Sequence, residues 1–334
     1  MEEAKNILKD IKAKNYKPIY FLMGEESFFI DAISDYIQSN VLEEHERDFN
    51  QTVLYGKDTN VDTIIGTAKR FPMMAEHQVV IVKEAQELSR TIENLTEYAA
   101  NPLPSTLLVI CYKYKSLDKR KKLIKTIAKT GLIFESKKLY ENKVGDWISK
   151  IMSSRGYAMD PKAIQMLVEF LGTDLSKINN ELKKLQLILH KGTSITPELV
   201  EENIGISKDF NIFELNKALG NKDKIKAHKI GNYFVQNPKE KPLIVTIALL
   251  FSHFSKVMQY HGLTDKSDKN AASKLKVSPY FVKDYALAAR NYPMKKVSYI
   301  IEKIRAADIK SKGVGATPLS QNDILKELLV QILD

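Results

Sequence analysis

The segment from Lys17 to Ala32 has the strand–turn–helix pattern on which many phosphate-binding sites are built. Its apolar run, Ile19 to Met23, predicts a buried strand, and Ser27 is the predicted N-cap of the following helix. A phosphate loop would read G-x-x-x-x-G-K-[ST], with a lysine and backbone N–H groups facing the phosphates. Here the turn reads Gly24-Glu25-Glu26-Ser27, which lacks that lysine and adds two carboxylates that would repel phosphate. These residues predict an ATPase-like scaffold without an ATP site.

The other residue types that carry chemistry do not form a recognisable site. The six histidines have no metal-ligand spacing, and Cys111 lies in an apolar run where an inert buried thiol is expected. Glu25 and Glu26 could mimic a catalytic pair, but adjacent residues on a turn diverge. A solvated pair at a helix start is the preferred interpretation. The sequence therefore predicts no catalytic residue, no cofactor and no metal, and hence a protein that is not an enzyme.

Length, charge and cysteine content narrow the class of protein. A chain of 334 residues is longer than one core usually serves, so two or three domains are expected. A net charge of +10 favours contact with polyanions such as nucleic acid. The single cysteine suits a reducing cytoplasm, and the first residues lack a signal-peptide pattern. The longest apolar stretch, residues 243–251, is too short to cross a bilayer, so a cytoplasmic protein without a membrane partner is predicted.

Strand and helix patterns alternate as far as Lys138, and only helix patterns follow. Largely apolar runs predict strands at 19–23, 78–82, 106–111 and 132–135, and an alternating pattern predicts one at 49–55. Helices are predicted at 3–14, 61–70, 89–100 and 118–130. Apolar strands that alternate with helices indicate an α/β domain with a parallel sheet covered on both faces. The remaining chain predicts an all-α region, with a loop at 312–318.

A basic run follows the fourth predicted strand. Its cations are Lys113, Lys115, Lys119, Arg120, Lys121, Lys122 and Lys125, and Tyr112 and Tyr114 lie among them. Such a surface can follow a nucleic-acid backbone and offer rings on which bases stack. Basic runs are also common on solvated helix faces, so that alternative stays open.

The segment Phe71-Pro72-Met73-Met74-Ala75 lies between a predicted helix and a predicted strand. Pro72 disfavours helical geometry at Phe71 and can start a single turn after it. The three large apolar side chains are therefore predicted to lie on a short tip at the edge of the sheet. From these residues alone, core packing is favoured over insertion into a partner's pocket.

Four motifs follow one another along the chain, at Pro18 to Phe29, Leu171 to Leu185, Asn211 to Leu219 and Asp308 to Lys312. In their order and spacing they resemble the delta-subunit family of the bacterial DNA polymerase III clamp loader, over essentially the whole chain. The first motif is similar to that family's first strand and degenerate loop. The second resembles its middle-domain signature, the third resembles the entry to its C-terminal domain, and the fourth completes the set.

The resemblance implies three domains. They are an AAA+-like domain without an ATP site at 1–140, a small helical domain at 141–206 and a helical collar domain for oligomerisation at 207–334. It also implies a non-catalytic subunit that binds the ring-shaped sliding clamp (beta) and holds one ring interface open, so that primed DNA can enter. Further expected partners are the ATPase subunits of the loader, which bind and hydrolyse ATP, and delta prime.

The clamp-binding element of that family is a pair of large apolar residues, typically Leu-Phe, just before the third strand. The matching positions here are Met73 and Met74, and Phe71 can supply an aromatic anchor. The resemblance shifts the prediction for Phe71, Pro72, Met73, Met74 and Ala75 towards clamp binding.

Two other functions remain open at this stage. One is a stand-alone nucleic-acid-binding protein that uses the basic face at 113–125, with phosphate contacts at Lys119, Arg120, Lys121 and Lys122. The other is a degraded ATPase that still binds nucleotide as a regulator.

Overall fold

The computed structural model describes residues 2–314 and 320–334, and the chain divides into two compact units, Met1–Leu139 and Tyr140–Asp334. Apolar core clusters lie within each unit. Residues 315–318 of the predicted loop lie outside the described residues. The predicted subdivision of the second unit near residue 206 stays a prediction.

The first unit is built on a parallel sheet of five strands. The strands are β1 (Ile19–Gly24), β2 (Gln51–Tyr55), β3 (Gln78–Lys83), β4 (Thr106–Lys113) and β5 (Leu132–Ser136). Their order is β2-β3-β4-β1-β5, and every neighbouring pair is parallel. Every residue of β1 is buried, which is why this strand reads as one continuous apolar run. The predicted strands are confirmed, except that β2 begins at Gln51 rather than Phe49.

Six α-helices accompany this sheet. They are α1 (Glu2–Lys12), α2 (Ser27–Asn40), α3 (Arg47–Asn50), α4 (Val61–Ala68), α5 (Thr96–Ala100) and α6 (Lys122–Thr130). One apolar core contains Phe21 and Val80 from the strands with Ile64 and Ile124 from the helices. Burial of such side chains is the main favourable term in folding, so this core fixes the sheet edges on which the candidate sites lie.

The predicted helices at 3–14 and 61–70 end two residues early, at Lys12 and Ala68, and two others are much shorter than their sequence pattern indicated. Residues 89–100 form only α5, preceded by 3₁₀ turns at Ala85–Leu88 and Ile92–Leu95. Each turn buries two residues spaced three apart, which suits the 3₁₀ period. The helix predicted at 118–130 begins at Lys122, because Asp118 accepts a hydrogen bond from Arg120 N (2.9 Å) and forms a local turn.

The second unit is almost entirely helical. Its helices are α7 (Glu141–Ser154), α8 (Pro161–Leu171), α9 (Leu175–Ile188), α10 (Pro197–Ile204), α11 (Ile212–Gly220), α12 (Lys224–Gln236), α13 (Leu243–His261), α14 (Asp268–Leu275), α15 (Val282–Asn291), α16 (Met294–Ser311) and α17 (Gln321–Leu333), with a 3₁₀ turn at Pro279–Phe281. A parallel pair, β6 (Ala158–Met159) and β7 (Ser194–Ile195), was not predicted. Strands of two residues are too short to show a period in sequence.

Helix α13 carries the broad apolar stripe that the sequence predicted. By length and composition alone this helix of 19 residues, which contains an 18-residue window with a mean hydropathy of 1.3, could cross a membrane. The helix extends ten residues beyond the apolar stretch at 243–251, through to His261. Leu250, Phe254 and Val257 are buried in the core formed by residues 212–333. This packing is that of a core helix.

Candidate protein-binding site

The segment Phe71–Ala75, hereafter the tip, lies between α4 and β3 at the amino-terminal edge of the sheet. The side chains of Phe71, Met73 and Met74 are 76%, 60% and 100% exposed. Pro72 and Ala75 are half-buried. Core packing, the alternative favoured from the residues alone, is therefore wrong for the three large side chains. The tip instead presents an exposed apolar group of the kind that marks interaction surfaces.

The backbone of the tip explains this exposure. Residues 71–77 contain bends but no helical turn, so the single turn predicted after Pro72 does not form. Met74 has a φ of +53°, in the left-handed region that non-glycine residues rarely adopt. Such conformations persist only where the surrounding structure holds them.

Asn50, the last residue of α3, holds the tip through a pair of hydrogen bonds. Its side-chain Oδ1 accepts from Met73 N (2.7 Å), and its Nδ2 donates to Met73 O (2.9 Å). The same Nδ2 donates to Glu46 O (3.1 Å), and Asn50 is only 4% exposed. Both backbone groups of Met73 are therefore bonded to one buried amide. The sequence did not reveal this residue, because the partners are 23 positions apart.

Gln78, the first residue of β3, holds the chain where it leaves α4. Its buried Nε2 donates to Thr106 Oγ1 (2.8 Å) and to Ala68 O (3.3 Å), and it also contacts Arg70 O. These carbonyls belong to the end of α4, where backbone groups lack helical partners. Two buried amides, from Asn50 and Gln78, thus fix the backbone on both sides of Phe71.

The opposite, carboxyl-terminal edge of the sheet carries the degenerate phosphate turn. Glu26, not the predicted Ser27, is the N-cap of α2, and its side chain accepts a hydrogen bond from Phe28 N (3.1 Å). Glu26 is buried while Glu25 is exposed, so a solvated pair is wrong for Glu26. At Gly24, a Cβ would lie 2.0 Å from Ser136 O, so no other residue fits. The turn is packed tightly against β5.

A lysine from the end of β4 lies at the same edge. Lys113 Nζ contacts Asp31 Oδ1 of α2 at 2.8 Å and Glu84 Oε1 at 3.3 Å. Burial alone would lower the pKa of the Lys113 ammonium, but these two carboxylates outweigh burial and place that pKa above its ordinary value. This lysine, which is paired with Gly24 in the sheet register, is therefore held by carboxylates of the chain itself.

The basic run is partly neutralised by acidic neighbours. Lys119 pairs with Glu135 (2.7 Å), Arg120 with Asp118 (2.6 Å) and Lys121 with Glu93 (2.8 Å). Among the residues that the structure describes, Lys115, Lys122 and Lys125 have no carboxylate within ion-pair distance. Tyr112 is buried and only Tyr114 is exposed. The structure therefore brings together fewer free cations and stacking rings than the sequence indicated.

Among the described residues, neither Cys111 nor the metal-binding residue types form a site. Burial raises the pKa of the Cys111 thiol to about 12, which confirms an inert buried cysteine. Within residues 2–314 and 320–334, no three His, Cys, Asp or Glu side chains come together as metal ligands would.

Comparison with known proteins agrees with this architecture. The family described as DNA polymerase III, delta subunit, matches residues 20–137, and the C-terminal domain of the same subunit matches residues 209–330. The DNA polymerase III subunit delta of Bacillus subtilis (strain 168) is 28% identical over 340 residues, covering 98% of this chain and 96% of that protein. A solved Bacillus subtilis DNA clamp loader delta protein is 25% identical with a TM-score of 0.54, covering 99% of both chains.

These matches and the five-stranded parallel sheet confirm the predicted fold class, an α/β domain followed by a helical C-terminal domain. They also confirm the resemblance noted in the sequence, because they span both units of the structure. The chain belongs to the DNA polymerase III delta subunit family, the delta subunits of the clamp loader.

Proposed function

We propose that this delta subunit binds the sliding clamp through the tip and holds one interface of the ring open while primed DNA enters. The observation that carries the proposal is the exposure of Phe71, Met73 and Met74 on a backbone fixed by Asn50 and Gln78. Large apolar anchors dominate the energy of interfaces when they enter desolvated pockets. Methionine suits such a pocket, since its unbranched side chain adapts to irregular shapes.

We propose further that the subunit is not catalytic and opens the ring with binding energy alone. The turn at Gly24–Ser27 lacks the phosphate-binding lysine, and Lys113 is engaged by Asp31 and Glu84. A phosphate group at this edge would meet carboxylates and compete for a paired cation. Binding and hydrolysis of ATP would then belong to neighbouring subunits of the loader.

The contact with those neighbours, the ATPase subunits and delta prime, is assigned to the second unit. Ile244, Ala248 and Phe251 of α13 line a groove together with Arg305 and Asp308 of α16. Ile244 and Phe251 are exposed although the opposite face of α13 is core. An apolar groove with a charged rim has the composition of a protein interface.

Contact with primed DNA through Lys119, Arg120, Lys121 and Lys122 is a secondary proposal, with Lys122 as its strongest candidate because the other three cations are ion-paired. The same ion pairs argue against a stand-alone nucleic-acid-binding protein that uses this face. A loader subunit would work in the cytoplasm, where the chromosome is replicated.

The clamp-binding proposal is tested by the double substitution Met73→Ala/Met74→Ala. We expect surface plasmon resonance to show a loss of clamp affinity of about a hundredfold or more, since roughly 3–5 kcal/mol of apolar burial is removed. The thermal midpoint should move little because both side chains are exposed. Met294→Ala, which removes an exposed methionine of the second unit, is the matched control. Retained binding with a large fall in the midpoint would contradict the proposal.

A further inference from the structure

A fourth large exposed apolar residue, Phe49, is the chain neighbour of the residue that holds the tip. Phe49 of α3 is 72% exposed, and it immediately precedes Asn50, whose side chain is bonded to Met73. The sequence pattern placed Phe49 inside a strand, where half-burial would be expected. The structure instead places it in the helical turn before β2, outside the ladder.

The sheet register explains why two segments distant in sequence meet here. Strands β2 and β3 are parallel neighbours, with Gln51 paired to Val79. The residues that enter the two strands therefore lie along the same edge of the sheet. Asn50 is the residue before Gln51, and its amide bridges the gap to Met73 with N···O distances of 2.7 and 2.9 Å.

We propose that the clamp-binding surface consists of two segments, Phe49–Asn50 and the tip. In this surface Phe49 is a further apolar contact, and Asn50 is a positioning residue that holds Met73 and Met74 in their binding conformation before the clamp arrives. This inference rests on the proposed function, because it assigns further residues to the same partner. The occupant is the clamp, since Phe49 is exposed and its neighbour Asn50 is bonded directly to the tip, to which clamp binding is assigned.

Asn50 acts by reducing the number of conformations available to the free tip. Without its amide, Met73 N and Met73 O would hydrogen-bond to water, and the residue before Met74, whose φ is positive, would lose this anchor. A binding-competent state that is only partly populated weakens the apparent affinity in proportion to its population. A segment already fixed in its bound conformation avoids that loss.

The two roles predict different kinetic effects. Phe49→Ala removes a contact of the complex, so its dissociation rate from the clamp should rise by about tenfold while association changes little. Asn50→Ala lowers the competent population of the free chain, so its association rate should fall by about three- to tenfold with a nearly unchanged dissociation rate. Tyr55→Ala is the matched control, since Tyr55 is an exposed aromatic residue at the opposite end of β2.

Hydrogen exchange on the full chain provides a second, independent measurement. In Asn50→Ala, the amide of Met73 should lose its protection, while amides in β3 and β4 should stay protected because the core is intact. This result is expected even if the variant melts at a lower temperature. Protection of Met73 unchanged from the wild type would overturn the positioning role of Asn50.

The failure of this inference is distinguishable from the failure of the proposed function. If the wild-type chain does not bind the clamp, the proposed function itself is wrong. If the wild type binds and Met73→Ala/Met74→Ala does not, but Phe49→Ala behaves like Tyr55→Ala, the two-segment surface is wrong. If Asn50→Ala changes only the dissociation rate, Asn50 is a contact residue and its positioning role is wrong.

Discussion

At the residue scale, the candidate site depends on side chains whose burial is the opposite of what their residue types predict. Met73 and Met74 would be typical core residues, yet both are exposed. Asn50 would be a typical surface residue, yet it is buried and bonded to both backbone groups of Met73. Exposed methionines and a buried asparagine are both explained if the tip must remain ordered while its apolar side chains face a partner.

A second buried polar residue, His253 of α13, makes the stability of the chain depend on pH. Burial, with a smaller contribution from Lys256, lowers the pKa of its imidazole to about 3. Its ring lies against Phe254 and Tyr285, and its Nε2 has no hydrogen-bond partner among the described residues. The folded chain therefore holds His253 neutral, whereas the unfolded chain protonates it near pH 6.5.

The sign of the effect follows from this difference. Below about pH 6.5 the unfolded state binds a proton that the folded state does not, so stability falls by about 1.4 kcal/mol per pH unit down to about pH 3. Between pH 6.5 and 5 the loss from His253 is about 2 kcal/mol. Urea denaturation at several pH values should show a shallower acid slope for His253→Leu than for the wild type. Parallel slopes for the two chains would contradict this assignment.

At the element scale, the edges of the parallel sheet separate the two features that the sequence singled out. The carboxyl-terminal edge carries the degenerate turn and the ion pairs of Lys113, and the amino-terminal edge carries the tip. In a parallel sheet, ligands usually bind outside the carboxyl ends of the strands. Here carboxylates and a paired lysine are gathered at that edge, and the proposed binding surface lies at the other.

The ion pairs at the carboxyl-terminal edge should contribute to stability. Lys113→Met would leave Asp31 and Glu84 without their cation, which should lower the unfolding free energy by about 1–3 kcal/mol. Lys83→Met is the control, since its partner Asp35 is exposed and such pairs contribute about 0–1 kcal/mol. Chemical denaturation of both variants measures the difference. Equal losses of unfolding free energy would show that the ion pairs of Lys113 contribute no more than an exposed surface pair.

The elements differ in how far sequence alone could predict them. β1 and α2 could be predicted from the sequence, because a continuous apolar run and a glycine turn are local signals. The start of α6 could not be predicted, because Asp118 accepts a hydrogen bond from Arg120 N and so forms a local turn before the helix begins. The exposure of the tip also could not be predicted from the sequence, since it depends on hydrogen bonds between Asn50 and Met73, which are 23 positions apart. Local periodicity carries no information about such a bond.

At the scale of the whole molecule, the two units are proposed to do different work. The first unit carries the tip, and the second unit carries a core of its own formed by residues 212–333. The sequence predicted different roles for the two units because its motifs resemble those of delta subunits. Hydrophobic periodicity predicted only helices and strands.

Substitution in the groove of α13 tests the role of the second unit. Phe251→Glu places a charge on an apolar face and should prevent the chain from joining the other loader subunits in size-exclusion chromatography. Binding of the clamp by the same variant should be unchanged, because Phe251 and the tip belong to different units. Tyr280→Glu is a matched control, since both side chains are 49% exposed and Tyr280 lies outside the groove. Normal assembly of Phe251→Glu would show that the contact with the other loader subunits does not lie in this groove.

The central claim, that this subunit opens the clamp through the tip without nucleotide, is tested most directly by ring release. Labelled clamp is first loaded onto nicked circular DNA, and the isolated chain is then added in the absence of ATP. We predict that clamp leaves the circle at a rate that rises with the concentration of the wild-type chain, and that Met73→Ala/Met74→Ala has no such effect. Clamp that stays on the circle at saturating wild-type chain, or equal release by the double variant, would contradict the account.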